Sequence, residues 1–127
     1  MSETDQDLSA FGIDRSRVLV GHVEFLPSER QVFVEGLRLH LTAREFDVLH
    51  VLAICAGHVV SRERIYEHVW GRPMPHSRDR AVHVHIRRIR VRLAEVSPDW
   101  LYVHTHFGQG YRFEPERADE RTQGVPR

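Results

Sequence analysis

Lysine is absent from this 127-residue chain, and all 18 residues of the Lys+Arg count are arginine. The choice of arginine over lysine at any one position therefore carries less information than usual, because it also reflects composition. Cysteine is nearly absent. The single Cys55 excludes an internal disulfide, and its apolar neighbours suit it to a small buried core position. No apolar run approaches the ~18 residues that a membrane span requires. The opening MSETDQDLSA lacks the basic start and apolar stretch of a secretory signal. A cytoplasmic protein with no membrane partner is the expectation. A glycine-rich phosphate loop behind a strand, a carboxylate pair and a Ser/His/Asp set are missing too, so the chain reads as a non-enzyme that needs no cofactor.

Net charge is also missing: 18 arginines balance 18 acids. A uniform spread of those charges would argue against a polyanionic partner, but the spread is uneven. Acids gather near the ends (Glu3, Asp5, Asp7; Glu114, Glu116, Asp119, Glu120), while the centre is rich in arginine. Screening beyond ~8–10 Å makes a phosphate respond to the local patch rather than the sum.

What is present is concentrated in RDRAVHVHIRRIRVRL, Arg78 to Leu93, with six arginines against one acid, Asp79. Val82, Ile86, Ile89 and Leu93 recur at steps of four, three and four, which places them on one stripe of a helix. Arg80, Val84, Arg87, Arg88 and Val91 fall on the opposite side. Such a helix, glued to a core by one face and carrying guanidinium and small apolar groups on the other, suits the major groove of duplex DNA. An ordinary solvated face would mix charge signs at i,i+4 and would not leave Val84 and Val91 among charges.

The length allows one domain with a modest core. Residues 1–16 are polar and acidic and read as a flexible arm. Short β-like runs fill Val18 to Leu41, broken by turn signals at Leu26-Pro27-Ser28-Glu29 and Glu35-Gly36, and fit an antiparallel meander of three or four strands. Thr42-Ala43-Arg44-Glu45 is a capping box opening a helix over about 43–56, with Gly57 past its end. Ser61 caps a second helix over about 62–70 with Gly71 at its stop. The loop 71–77, with two prolines, cannot be helical, and Ser77 is placed to cap the arginine helix, about 78–95. Two β-type runs over about 101–114 enclose the turn Phe107-Gly108-Gln109-Gly110 and make a hairpin. The domain is expected over 17–115 and a disordered tail over 116–127. The fold class is α+β: an N-terminal antiparallel sheet, three helices and a C-terminal β-hairpin wing.

That order, with four motifs in sequence, resembles the DNA-binding effector domain of OmpR/PhoB-type response regulators. The motifs are LTAREFDVLHVLA, GHVVSRERIYEHVWG, RAVHVHIRRIRVRL and HTHFGQGYRF, within about Gly21 to Phe113. The resemblance implies a winged helix-turn-helix that regulates transcription by sequence-specific binding to double-stranded promoter DNA. Its third helix would enter the major groove and its wing would lie at the minor groove. By position, Arg80, His85, Arg87, Arg88 and Arg90 would contact phosphates or base edges, and Ala81 and Val84 would face bases. Arg62 and Trp70 on the second helix, with Thr105 and Tyr111 on the wing, would clamp the DNA backbone. The loop 71–77 matches the segment through which family members can touch RNA polymerase, and pairing on tandem half-sites is a further expectation by resemblance.

Three departures stand out. His83 occupies a position usually held by aspartate. Phe107 replaces a wing arginine; packing at the wing base is its expected role, with an apolar wedge at a base step as the alternative. Read as a whole protein, the chain has no receiver domain and would be an orphan regulator. Two rival readings remain. His104 and His106 share a strand face and could present two ligands, which without a neighbouring acid or cysteine falls short of a metal site. The other rival is a protein-interaction module on the same fold that has lost DNA binding.

Overall fold

The computed structural model describes residues 17–119. The expected flexible arm, 1–16, and the end of the tail, 120–127, lie outside the described residues. Four short strands, β1 (Val18–Val20), β2 (Val23–Leu26), β3 (Gln31–Val34) and β4 (Leu37–Leu39), pair in sequence order as an antiparallel meander. Alternation decides its faces: Val23, Phe25, Val32, Val34 and Leu39 are buried, while their neighbours along each strand are more exposed.

Helix α1 (Ala43–Ile54) begins at the expected capping box. Thr42 Oγ1 accepts from the Glu45 amide at 3.2 Å, and Glu45 Oε1 accepts from the Thr42 amide at 3.0 Å. The helix stops at Ile54, two residues earlier than expected, with Cys55 as its cap; Cys55 is half-buried rather than fully buried. Helix α2 (Arg62–Trp70) starts at Ser61, whose Oγ accepts from the Arg64 amide, and ends at left-handed Gly71.

Helix α3 (Ala81–Val96) starts three residues later than the arginine run suggested. Ser77 does not cap it. Asp79 Oδ1 accepts the Ala81 N–H at 2.9 Å, so the only acid of the segment ties down the helix start and leaves Arg78 and Arg80 before it. The stripe is as read: Val82, Ile86, Ile89 and Leu93 are all buried, against a core that includes Phe46, Leu49, Leu52 and Phe113.

The wing is β6 (Trp100–His106) paired with β7 (Gly110–Arg117). A short strand not anticipated from sequence, β5 (Val59–Val60), pairs with Arg112 and Tyr111 on the other side of β7, making a three-stranded sheet in the order β5-β7-β6. The expected domain end at 115 falls short: Glu116 pairs with Leu101 and Arg117 with Trp100, the Arg117 guanidinium lying 5.6 Å from the Trp100 ring centroid. Strand β7 runs through Pro115 because that residue sits where the register shifts between Leu101 and Val103, an irregularity in which a missing N–H is tolerated. A polar joint links the two sheets. Tyr102 Oη lies 2.6 Å from both His22 Nε2 and Ser97 Oγ, and burial raises its ionisation above the usual phenol range. No helix among the described residues is long and apolar enough to cross a membrane.

Candidate nucleic-acid interface

Helix α3 meets solvent along the face opposite its buried stripe. Arg80, His83, Val84, Arg87, Arg88, Val91 and Arg92 line one open surface there. Arg80, Arg87 and Arg88 are exposed, and Val91 is 54 % exposed, an apolar side chain set among charges without packing. Among the described residues, the arginine–carboxylate pairs lie elsewhere: Arg17–Glu24, Arg30–Asp47, Arg112–Glu114 and Arg117–Asp119. No described acid pairs with Arg80, Arg87 or Arg88, and their positive potential is not cancelled locally. Asp79, the one acid of this segment, spends a carboxylate oxygen on the Ala81 N–H, and the first turn of α3 itself carries no acid.

The remaining residues singled out from sequence lie in the same region, where they also make contacts within the protein. Arg62 donates through Nη1 to Asp79 O at 3.3 Å and through Nη2 to Ser77 O at 3.2 Å, fastening the loop before α3 to the start of α2. Trp70 stacks on Tyr66 with centroids 4.6 Å apart, under the Arg44 guanidinium at 5.2 Å. His85 meets the Trp70 ring edge-on at 5.3 Å and places Nδ1 2.8 Å from Ala81 O. These contacts join α2 to α3. Arg90 joins α3 to the wing: its Nε and Nη2 donate to Val103 O at 3.2 and 2.9 Å, and Nη2 donates to Thr105 Oγ1 at 2.7 Å. The same guanidinium lies 5.9 Å from the ring centroid of Tyr111, which is itself buried. Ala81 is half-buried at the helix start, beside Val84 one turn on.

Between α3 and the wing runs a cleft of about 560 Å³, lined by Arg62, Glu63, His83, Arg90, Thr105, His106, Phe107, Gly108, Gln109, Gly110 and Tyr111. Glu63 and Gln109 had no sequence signal, because only the folded chain brings the start of α2 and the hairpin turn to one cleft with α3. Phe107 corrects the expectation of packing at the wing base: it is 92 % exposed at the hairpin tip. The two wing histidines are each engaged within the sheet. His104 Nε2 lies 2.8 Å from Glu114 O, and His106 Nε2 accepts from Arg112 Nε at 3.1 Å. Among the described residues, no three metal-capable side chains converge.

Comparison with known proteins agrees with this architecture. Residues 36–113 match the family model described as "Transcriptional regulatory protein, C terminal". The probable transcriptional regulator ycf27 of Pyropia yezoensis is 32 % identical over 116 residues, covering 90 % of this chain and 48 % of that protein. The phosphate regulon transcriptional regulatory protein PhoB of Klebsiella pneumoniae is 39 % identical over 87 residues, covering 68 % of this chain and 37 % of that protein. The Klebsiella pneumoniae RstA DNA-binding domain, solved in complex with the RstA box, superposes with a TM-score of 0.70 at 28 % identity, over 80 % of this chain and 100 % of that one. The chain spans about half the length of the curated ycf27 relatives it matches. It belongs to the transcriptional regulatory protein C-terminal family, the winged-helix DNA-binding domains of OmpR/PhoB-type response regulators.

Proposed function

We propose that this chain binds duplex promoter DNA with sequence preference, α3 entering the major groove and the β6–β7 wing lying at the minor groove. The observation that carries this reading is the rim of Arg80, Arg87 and Arg88, exposed and without an acidic partner among the described residues, on a helix held from behind by four buried aliphatic side chains. Planar guanidinium forks can bind guanine edges or phosphates in pairs of hydrogen bonds, and Val84 and Val91 between them offer apolar contact to thymine methyl groups. Arg62, Trp70, His85, Arg90, Thr105 and Tyr111 serve mainly to set the angle between α2, α3 and the wing, so that rim and wing reach one duplex together. Their contribution is to register rather than to base reading.

The RstA domain binds its RstA box with the same fold, which supports the reading. Two finer expectations follow it as proposals. The loop 71–77 is largely exposed around Pro73 and Pro75 and is available to RNA polymerase. Two copies would occupy tandem half-sites.

The test is selection by the full chain from a pool of duplexes with a randomised core. Enrichment of a shared motif with positions that tolerate only one base pair is the expected outcome. Recovery of an unenriched pool, or no recovery at all, contradicts it, and the latter would favour a fold that binds protein instead.

A further inference from the structure

The wing tip differs in chemistry from the basic rim it accompanies. Phe107 is the most exposed large apolar residue among those described, at 92 %, well above Leu19 at 61 % or Leu37 at 57 % on the other sheet. Single exposed apolar residues are common and need no explanation by themselves. Two features set this one apart. It borders a cleft lined also by His83, and His83 lines the open surface of the α3 rim as well, so cleft and rim adjoin. The turn backbone that carries it is also well defined. The Gln109 N–H donates to His106 O at 2.8 Å to close the turn, and Gly108 adopts φ +76 at its third position. Gly110 packs so closely on the Val60 carbonyl that no side chain fits between them, and Arg90 ties Thr105 of the same hairpin to α3.

We infer that Phe107 is an apolar wedge that enters the minor groove and partly unstacks a base step, making the chain selective for deformable DNA beside the sequence read by α3. The inference rests on the DNA-binding reading above. A phenyl ring cannot hydrogen-bond to a phosphate or to a base edge; what it can offer a duplex is stacking and contact with an opened step. Opening costs least at pyrimidine–purine steps such as TA and CA/TG, so the selectivity falls on positions that no polar side chain reads. A well-defined turn backbone matters, because it fixes where the ring is presented to the duplex.

The probe is a duplex enriched by the selection described above, carrying a dye at each end and 2-aminopurine at single steps in turn. Native protein should shorten the end-to-end distance, consistent with a kink of about 20–90°, and brighten 2-aminopurine at one step. Phe107→Ala should lose both signals and weaken binding about tenfold. The slope of affinity against salt should not change, since no phosphate contact is removed. Phe107→Leu should retain the kink. An unchanged thermal midpoint for both variants would confirm that the fold is intact. Equal bending and brightening by native protein and Phe107→Ala would overturn the wedge while leaving DNA binding standing. A loss traced to fewer copies on the duplex, seen by sedimentation, would overturn it in favour of contact between copies. If the native chain enriches no duplex, the wedge and the reading beneath it fall together.

Discussion

Replacing Gly110 by alanine should destabilise the domain by about 3–5 kcal/mol, a large share of the 5–15 kcal/mol typical of a small domain. A Cβ there would stand 2.0 Å from Val60 O, 2.7 Å from Val60 C and 2.8 Å from Ser61 Cα. All three are backbone atoms and cannot swing away as a side chain could. Relief requires moving β5 off β7, and β5 leads directly into Ser61, the cap of α2. The φ of +147 at Gly110 adds strain for any residue with a side chain. Damage should therefore spread from the wing to the start of the helix-turn-helix, and DNA binding should weaken along with stability. Gly108 supplies the control. Its φ is +76 but nothing lies within 4 Å of an added methyl group, so Gly108→Ala should cost only ~1–2 kcal/mol of backbone strain. Urea unfolding of the two variants checks the contrast; equal midpoints for Gly110→Ala and the native chain would refute the close approach of β5 and β7.

Arg88→Ala should weaken binding to the preferred duplex by ~1–3 kcal/mol and relax preference at one base position, with little loss on random DNA. Arg88 is exposed and has no described partner, so its removal leaves the fold unchanged within about 0.5 kcal/mol. Arg62→Ala should behave otherwise. Its guanidinium holds the carbonyls of Ser77 and Asp79, and losing those bonds frees the loop in front of α3. Affinity should fall about equally for all sequences, with a stability cost of ~1 kcal/mol. Competition of specific against random duplex separates the two variants. Equal losses on both kinds of DNA for Arg88→Ala would remove its base-reading role.

Much of the fold was legible because its signals are local. Thr42 with Glu45, and Ser61 with Gly71, mark helix ends through hydrogen bonds spanning three or four residues. The stripe from Val82 to Leu93 needs only the helical period. Strand β5 was illegible: two residues display no periodicity, and pairing with β7 is decided some fifty positions away. The start of α3 is ambiguous in the sequence because Ser77 and Asp79 are both competent caps, and tertiary contacts from Arg62 decide how the loop between them runs.

The site divides in the same way. Helical geometry alone put Arg80, Arg87 and Arg88 outward and His85 and Arg90 on the flanks. It could not show that Arg90 donates to Val103 O and Thr105, or that His85 meets Trp70, because those partners come from other elements. The exposure of Phe107 is illegible for a related reason. Whether a turn residue packs or projects depends on how the finished hairpin twists, which its own sequence does not encode.

The measurement that bears most directly on the arginine rim is fluorescence anisotropy of the full chain with a random duplex of about 20 base pairs, titrated across roughly 50–200 mM salt. About six neutralised phosphates would make log K fall against log salt with a slope near −5. A slope near zero would mean that these guanidinium groups displace no counterions, and the helix that carries them would belong to a surface for docking protein.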